Sequence, residues 1–144
     1  MSSYCSLHRL PRAGIDRIDS ELAARSLLGL IMAEPPRPET IVLLLDAERR
    51  GLGALVVRGT IPFDSIFDVL DVITSLPRDD LGGVVVASVR PPCAGVDDLD
   101  VGDVDRWLEC SSMMEDAGLE LAEWFVIGRA VHCPRDLVGE PPRW

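Results

Sequence analysis

The spacing of apolar residues changes several times along the chain, and each change predicts an element. Between residues 15 and 32 apolar side chains recur three to five apart, at Ile15, Ile18, Leu22, Leu27, Leu30 and Ile31. That period predicts an amphipathic helix. Asp16 or Asp19 is placed to cap it, and the EPPRP stretch at 34–38 must stop it, because proline supplies no N–H to the helical ladder. Residues 40–45 (TIVLLL) form an unbroken apolar run ending at Asp46, as expected of a strand buried on both faces. AERRGLG reads as a turn, and residues 54–58 return as the second arm of a hairpin-like pair closed by Gly59 and Thr60.

Pro62, with Asp64 or Ser65, then opens a second helix with Ile66, Phe67, Leu70 and Ile73 on one face, stopped by Leu76 and Pro77. Residues 84–88 (VVVAS) predict another buried strand. The stretch RPPCAGVDDLDVG at 90–102 is a loop, and loops of that length in compact domains are functional or disordered. Asp100 or Asp103 starts a third helix carrying Val104, Trp107, Leu108 and Met114, with Gly118 as its C-terminal glycine. A strand at 119–127, a turn at Gly128 and Arg129, and a short partner at 130–133 complete the order. Residues 1–14 read as a flexible N-terminal arm, and residues 15–144 as one domain. The expected fold class is α/β, a mixed β-sheet flanked by helices, because strands separated by helices favour parallel pairing and hairpins do not.

Composition narrows the function. At 144 residues and 47% hydrophobic, the chain can close one core, and its 26% charged fraction argues against wholesale disorder. No apolar run approaches the roughly 20 residues that span a bilayer, and the first residues lack the pattern of a secretory signal, so a cytoplasmic protein without membrane contact is expected. A net charge of −10 would repel phosphates, which excludes nucleic acid as the expected partner. The four cysteines (Cys5, Cys93, Cys110, Cys133) are scattered without a disulfide framework and read as reduced, mostly buried small hydrophobes.

Four blocks in order resemble the RadC family of bacterial JAB (MPN-like) domains. They are the pair IVLLLDAERRGLGALVVRGT, the helix FDSIFDVLDVI, the strand VVVASVRPP, and GDVDRWLECSSMMEDAGLELAEWFVIG, together spanning about residues 40–134. The resemblance implies a single JAB-like domain. In that family two histidines of a His-x-His motif and an aspartate hold a zinc whose open position activates water. Here those positions fall on Ser88, Arg90 and Asp103. The family's general-base glutamate would fall near Ala54, where no acid stands between Leu52 and Val57. Ser88 is a poor zinc ligand, and Arg90 brings a permanent cation to the metal's place. The resemblance therefore implies a vestigial pocket, a pseudoenzyme with no catalytic residue, no metal and no cofactor. Its expected role is a protein-interaction or assembly module with a protein or peptide partner or a second copy of itself. Arg90 facing Asp103 reads either as an internal ion pair that replaces zinc as a structural pin or, in the alternative, as the remodelled pocket of an enzyme or small-anion-binding protein, since Arg forks onto carboxylates and phosphates. DNA association, suggested by the family's repair label, is opposed by the net charge.

Other groupings are weaker. His132 beside Cys133, with Cys93 and Cys110, could form a displaced zinc site, but the spacing fits no usual pattern, and a partly exposed or satisfied histidine is the commoner outcome. Cys93 activated by His132 would need the two to meet in space. The acids Asp97, Asp98, Asp100, Asp103 and Asp105 lack calcium-loop spacing and read as a solvated loop favouring the following helix terminus. Trp107, Trp124 and Phe125 sit at core spacings.

Overall fold

In the computed structural model, residues 16–93, 95 and 97–144 are described. The elements are α1 (Glu21–Ile31), β1 (Glu39–Leu45), β2 (Gly51–Arg58), α2 (Ser65–Thr74), β3 (Gly83–Val89), α3 (Asp103–Asp116), β4 (Glu120–Ile127) and β5 (Val131–His132), followed by a 3-10 turn at Pro134–Val138. The strands form one five-stranded sheet in the order β2-β1-β3-β4-β5. Only β3 and β4 pair in parallel, as their connection through α3 allows, and the other pairs are antiparallel. The molecule is thus a small α/β domain with a mixed sheet, as the order of periodicities predicts.

Strand alternation sorts the core into two layers. Val42, Leu44, Val84, Val86, Trp124 and Val126 point to the side covered by α2 and α3, where Leu70, Ile73, Trp107 and Met114 meet them. Ile41, Leu43, Val85, Ala87 and Phe125 point to the other side, covered by Ala24 and Leu28 of α1. Every residue of β1 is buried, which is why its sequence shows no alternation. Trp107, Trp124 and Phe125 are fully buried, in agreement with their spacing.

The first helix is shorter than its periodicity predicts. It begins at Glu21, and Ser20, not Asp16 or Asp19, caps it by accepting from the Ala23 N–H at 3.1 Å. Residues 16–18 instead lie extended beside the β1–β2 turn, and Ile18 reaches the core from there. Leu22 and Leu30, expected on the apolar face, are exposed, because Ala24 and Leu28 already fill the space against the sheet. Leu108 of α3 is likewise exposed. α3 ends as expected, with Gly118 at φ 77° directly after the turn. The expected arm at residues 1–14, the helix start at Ile15 and Cys5 lie outside the described residues. No described helix is long and apolar enough to cross a membrane.

Candidate functional site

β3 delivers Ser88 and, just beyond its end, Arg90, while the first turn of α3 delivers Asp103. Strand and helix termini meet at the same end of the sheet, so the three positions picked out in the sequence are neighbours in space. Arg90 clamps Asp103 in a two-pronged ion pair, Nη1 to Oδ2 at 2.8 Å and Nη2 to Oδ1 at 2.9 Å, and Nη1 also donates to the Asp98 carbonyl at 3.0 Å. Its guanidinium lies 3.9 Å from the centroid of the Phe63 ring and 5.9 Å from that of Trp124. Ser88 is engaged separately, its Oγ accepting from the Trp124 indole N–H at 2.9 Å.

Asp103 is fully buried and saturated with donors. Besides Arg90 it accepts from the Asp100 N–H at 2.7 Å and from Arg106 Nη1 at 3.0 Å. Burial works against its ionisation, but the hydrogen bonds from Arg90 and the Asp100 N–H, with the Arg90 charge, outweigh it and hold the carboxyl below the usual carboxylate range. Arg106 continues the network to Asp100 at 2.7 Å and Asp64 at 2.8 Å. These carboxylates raise its already high pKa against the effect of burial.

This donor set does not suit zinc. One carboxylate engaged by two guanidinium groups and a backbone N–H, with a serine committed to an indole, offers neither the ligand count nor the charge that zinc requires. The strand register does not bring Ala54 beside Ser88. Thr40 is level with Ser88 on one side and Val57 on the other, whereas Ala54 is level with Leu43 and belongs to the opposite face. The enclosed space that Arg90 shares with Thr40, Thr60 and Ser88 is about 10 Å³, room for one water. Arg90 and Phe63 also line an adjoining groove of about 560 Å³, together with Pro36, Pro38, Ile61 and Pro91.

The remaining sequence candidates are redistributed. His132 is not joined to Cys93 but sits 3.2 Å from Asp98 Oδ2, and Cys93 is exposed, with its carbonyl accepting from Arg129. Of the described cysteines only Cys110 is buried, so the expectation of mostly buried thiols fails at Cys93 and in part at Cys133. Burial pushes the thiols of Cys110 and Cys133 up to about 12. The displaced zinc grouping of His132, Cys133, Cys93 and Cys110 does not assemble. Among the described residues the clustered donors are Glu21, Glu123 and Cys133, within 4.8 Å of one another. Arg135 already lies against that group, its Nε 2.8 Å from Glu123. Nor is the acidic loop simply solvated. Asp98 accepts from the Ala130 N–H and packs so closely on Gly128 that any Cβ there would collide with its carboxylate.

Three further residues, Arg106, Glu123 and Phe63, also take up partners. Arg106 stands three residues after Asp103, a helical ion-pair spacing that is legible in the chain. Glu123 is a lone acid inside the apolar strand LAEWFV, which is a signal of a buried partner. Phe63 offers no such signal, because its place under Arg90 depends on how the β2–α2 connection folds over β3. No protein-family model matches the chain, and no curated protein is similar to it in sequence. The class is therefore defined by the fold alone, a small α/β domain with a five-stranded mixed sheet and three helices.

Proposed function

We propose that this chain is a non-hydrolytic binding module, a RadC-type JAB-like scaffold in which an arginine stands in the place of the metal, acting through a protein partner. The observation that carries the reading is the two-pronged clamp of Arg90 on Asp103. The resemblance puts three ligand positions at Ser88, Arg90 and Asp103, and they do converge, but as a closed ion pair and an indole-bound serine. Among the described residues no strand pairs with the outer side of β2 beyond its start, which supports partner binding, because extended chains add to such edges through main-chain hydrogen bonds.

An anion site at Arg90 is the weaker reading. Both terminal nitrogens are spent on Asp103 and the Asp98 carbonyl, and only the buried Nε is unpartnered. Metal analysis of the purified protein after dialysis against zinc tests the proposal. The expected result is no stoichiometric zinc, and one retained equivalent would overturn it.

A further inference from the structure

The ion pair with Asp103 engages only part of the Arg90 guanidinium. Past the end of β3 the chain keeps its strand geometry, because the Arg90 N–H donates to the Ile127 carbonyl at 2.7 Å. Alternation therefore brings the Arg90 side chain out on the same face as Ser88, two residues earlier. That side chain is nine-tenths buried, with 10% of its surface exposed. Nη1 and Nη2 are engaged by Asp103 and the Asp98 carbonyl, whereas the buried Nε–H meets no acceptor among the described residues. A guanidinium N–H shut away from bulk water is costly to leave unpaired, and folded proteins satisfy nearly all such groups with protein atoms or ordered water.

Hydroxyl groups surround the place where an acceptor is needed. The space of about 10 Å³ beside Arg90 is lined by Thr40, Thr60, Ser65 and Ser88. Ser88 Oγ accepts from Trp124 Nε1, which leaves it a proton to donate and a second lone pair. Thr40 and Thr60 share one hydrogen bond at 2.9 Å, which leaves a proton and lone pairs between the two. Glu39 belongs to the same lining, but alternation turns its carboxylate towards α1, where it accepts from the Ala33 N–H at 3.0 Å. A cation would meet the Arg90 charge there without a carboxylate to balance it. A counter-anion is not called for either, since Asp103 already offsets that charge. What the Nε–H lacks is a neutral acceptor.

We infer that one resident water completes the clamp, accepting from the Arg90 Nε–H and exchanging hydrogen bonds with Ser88 Oγ and the Thr40–Thr60 hydroxyl pair. Volume and partner number agree, because on the order of 10–15 Å³ holds a single water, which makes about three hydrogen bonds. Water both accepts and donates, so it serves a guanidinium N–H that only donates and hydroxyls that do either. Arg90 then pins three segments at once. It holds the start of α3 directly through Asp103, and it holds β1 and the β2–α2 connection through the water. This site stands whether or not the chain serves a protein partner.

The test is a crystal structure of the unaltered protein at a resolution that shows ordered water, a second crystal soaked in sodium bromide, and NMR in solution. The expected density is one isolated peak within hydrogen-bonding distance of Arg90 Nε and of a Ser88, Thr40 or Thr60 hydroxyl, with no anomalous signal after the soak. In solution the Arg90 Nε–H gives a cross-peak to water of the sign that marks contact rather than proton exchange. Thr60→Val, which replaces a lining hydroxyl by a methyl group, weakens that cross-peak several-fold. A bromide signal at the peak overturns the inference in favour of an anion site. A protein acceptor on Nε, from residues 1–15 or any other segment, overturns it too, as does a site with no peak. A cross-peak unchanged in Thr60→Val overturns the site as drawn, since the water would then lie elsewhere. Each of these outcomes removes the water without touching the non-hydrolytic reading, which stands or falls on zinc retention.

Discussion

Two buried arginine–carboxylate pairs hold opposite sides of this sheet, and they are built on different terms. Arg90 and Asp103 tie the end of β3 to the start of α3, on the side covered by α2 and α3. Arg135 and Glu123 tie the 3-10 turn after β5 to the middle of β4, on the side covered by α1. Asp103 has two arginines and a backbone N–H, and its carboxyl is held down. Glu123 has Arg135 and only a long bond from the Trp124 N–H at 3.3 Å, and burial pushes its carboxyl up in spite of them. Arg135 also divides its charge, with Asp136 at 2.7 Å and Glu21 at 3.9 Å. A buried carboxylate is stabilised by the number of donors aimed at it, and one shared guanidinium does not offset the loss of water.

Removing the better-served carboxylate should have the largest consequence. Asp103→Asn leaves Arg90 buried beside a neutral amide and should cost about 3–5 kcal/mol, read from urea unfolding. A cost under about 1 kcal/mol would show that the clamp does not hold the fold. Removing both charges at once, as Arg90→Met with Asp103→Leu, should recover most of that loss, because no unpaired ion remains.

Glu123→Gln should cost less, about 1–2 kcal/mol, since Arg135 keeps Asp136 and the Glu140 carbonyl. The two sites also differ in the sign of their pH dependence. The folded pKa of Asp103 lies below its unfolded value, so its stabilisation is present above about pH 4 and is lost as pH falls through the folded value. The folded pKa of Glu123 lies above its unfolded value, so its contribution is fullest below about pH 4.3 and is lost as pH rises through the folded value. Unfolding midpoints of the wild type and both variants between about pH 3 and 8 check this. Parallel curves for the two variants would erase the distinction.

The smallest effect belongs to Ser88→Ala, which leaves the buried Trp124 indole N–H without its acceptor and should cost about 1 kcal/mol. No measurable change in the unfolding midpoint would mean that Ser88 is a passive wall of the site.

Much of the scaffold is legible in the chain because burial imprints a period. The unbroken run of β1, the alternating faces of α2 and α3, and Gly118 at the end of α3 all appear where the apolar pattern places them. Arg90 and Asp103, singled out together in the sequence, lie paired in the structure. Local pattern misleads at the N-terminal end, where Ile18 recurs at a helical interval yet is buried from an extended segment. Periodicity reports that a side chain is buried, and several backbone routes can bury it.

The α/β order, the buried strands, the aromatic core and the lack of histidine at the end of β3 follow from the amino-acid sequence without further help. The partners do not, and they come from the tertiary fold. It pairs Asp103 with Arg90, Trp124 with Ser88, Asp98 with His132 and Arg135 with Glu123. Those choices join residues 13, 36, 34 and 12 positions apart. Hydrophobic burial is a property of each residue and shows in its neighbours along the chain, whereas an ion pair or a hydrogen bond exists only once the backbone has brought both groups to one place.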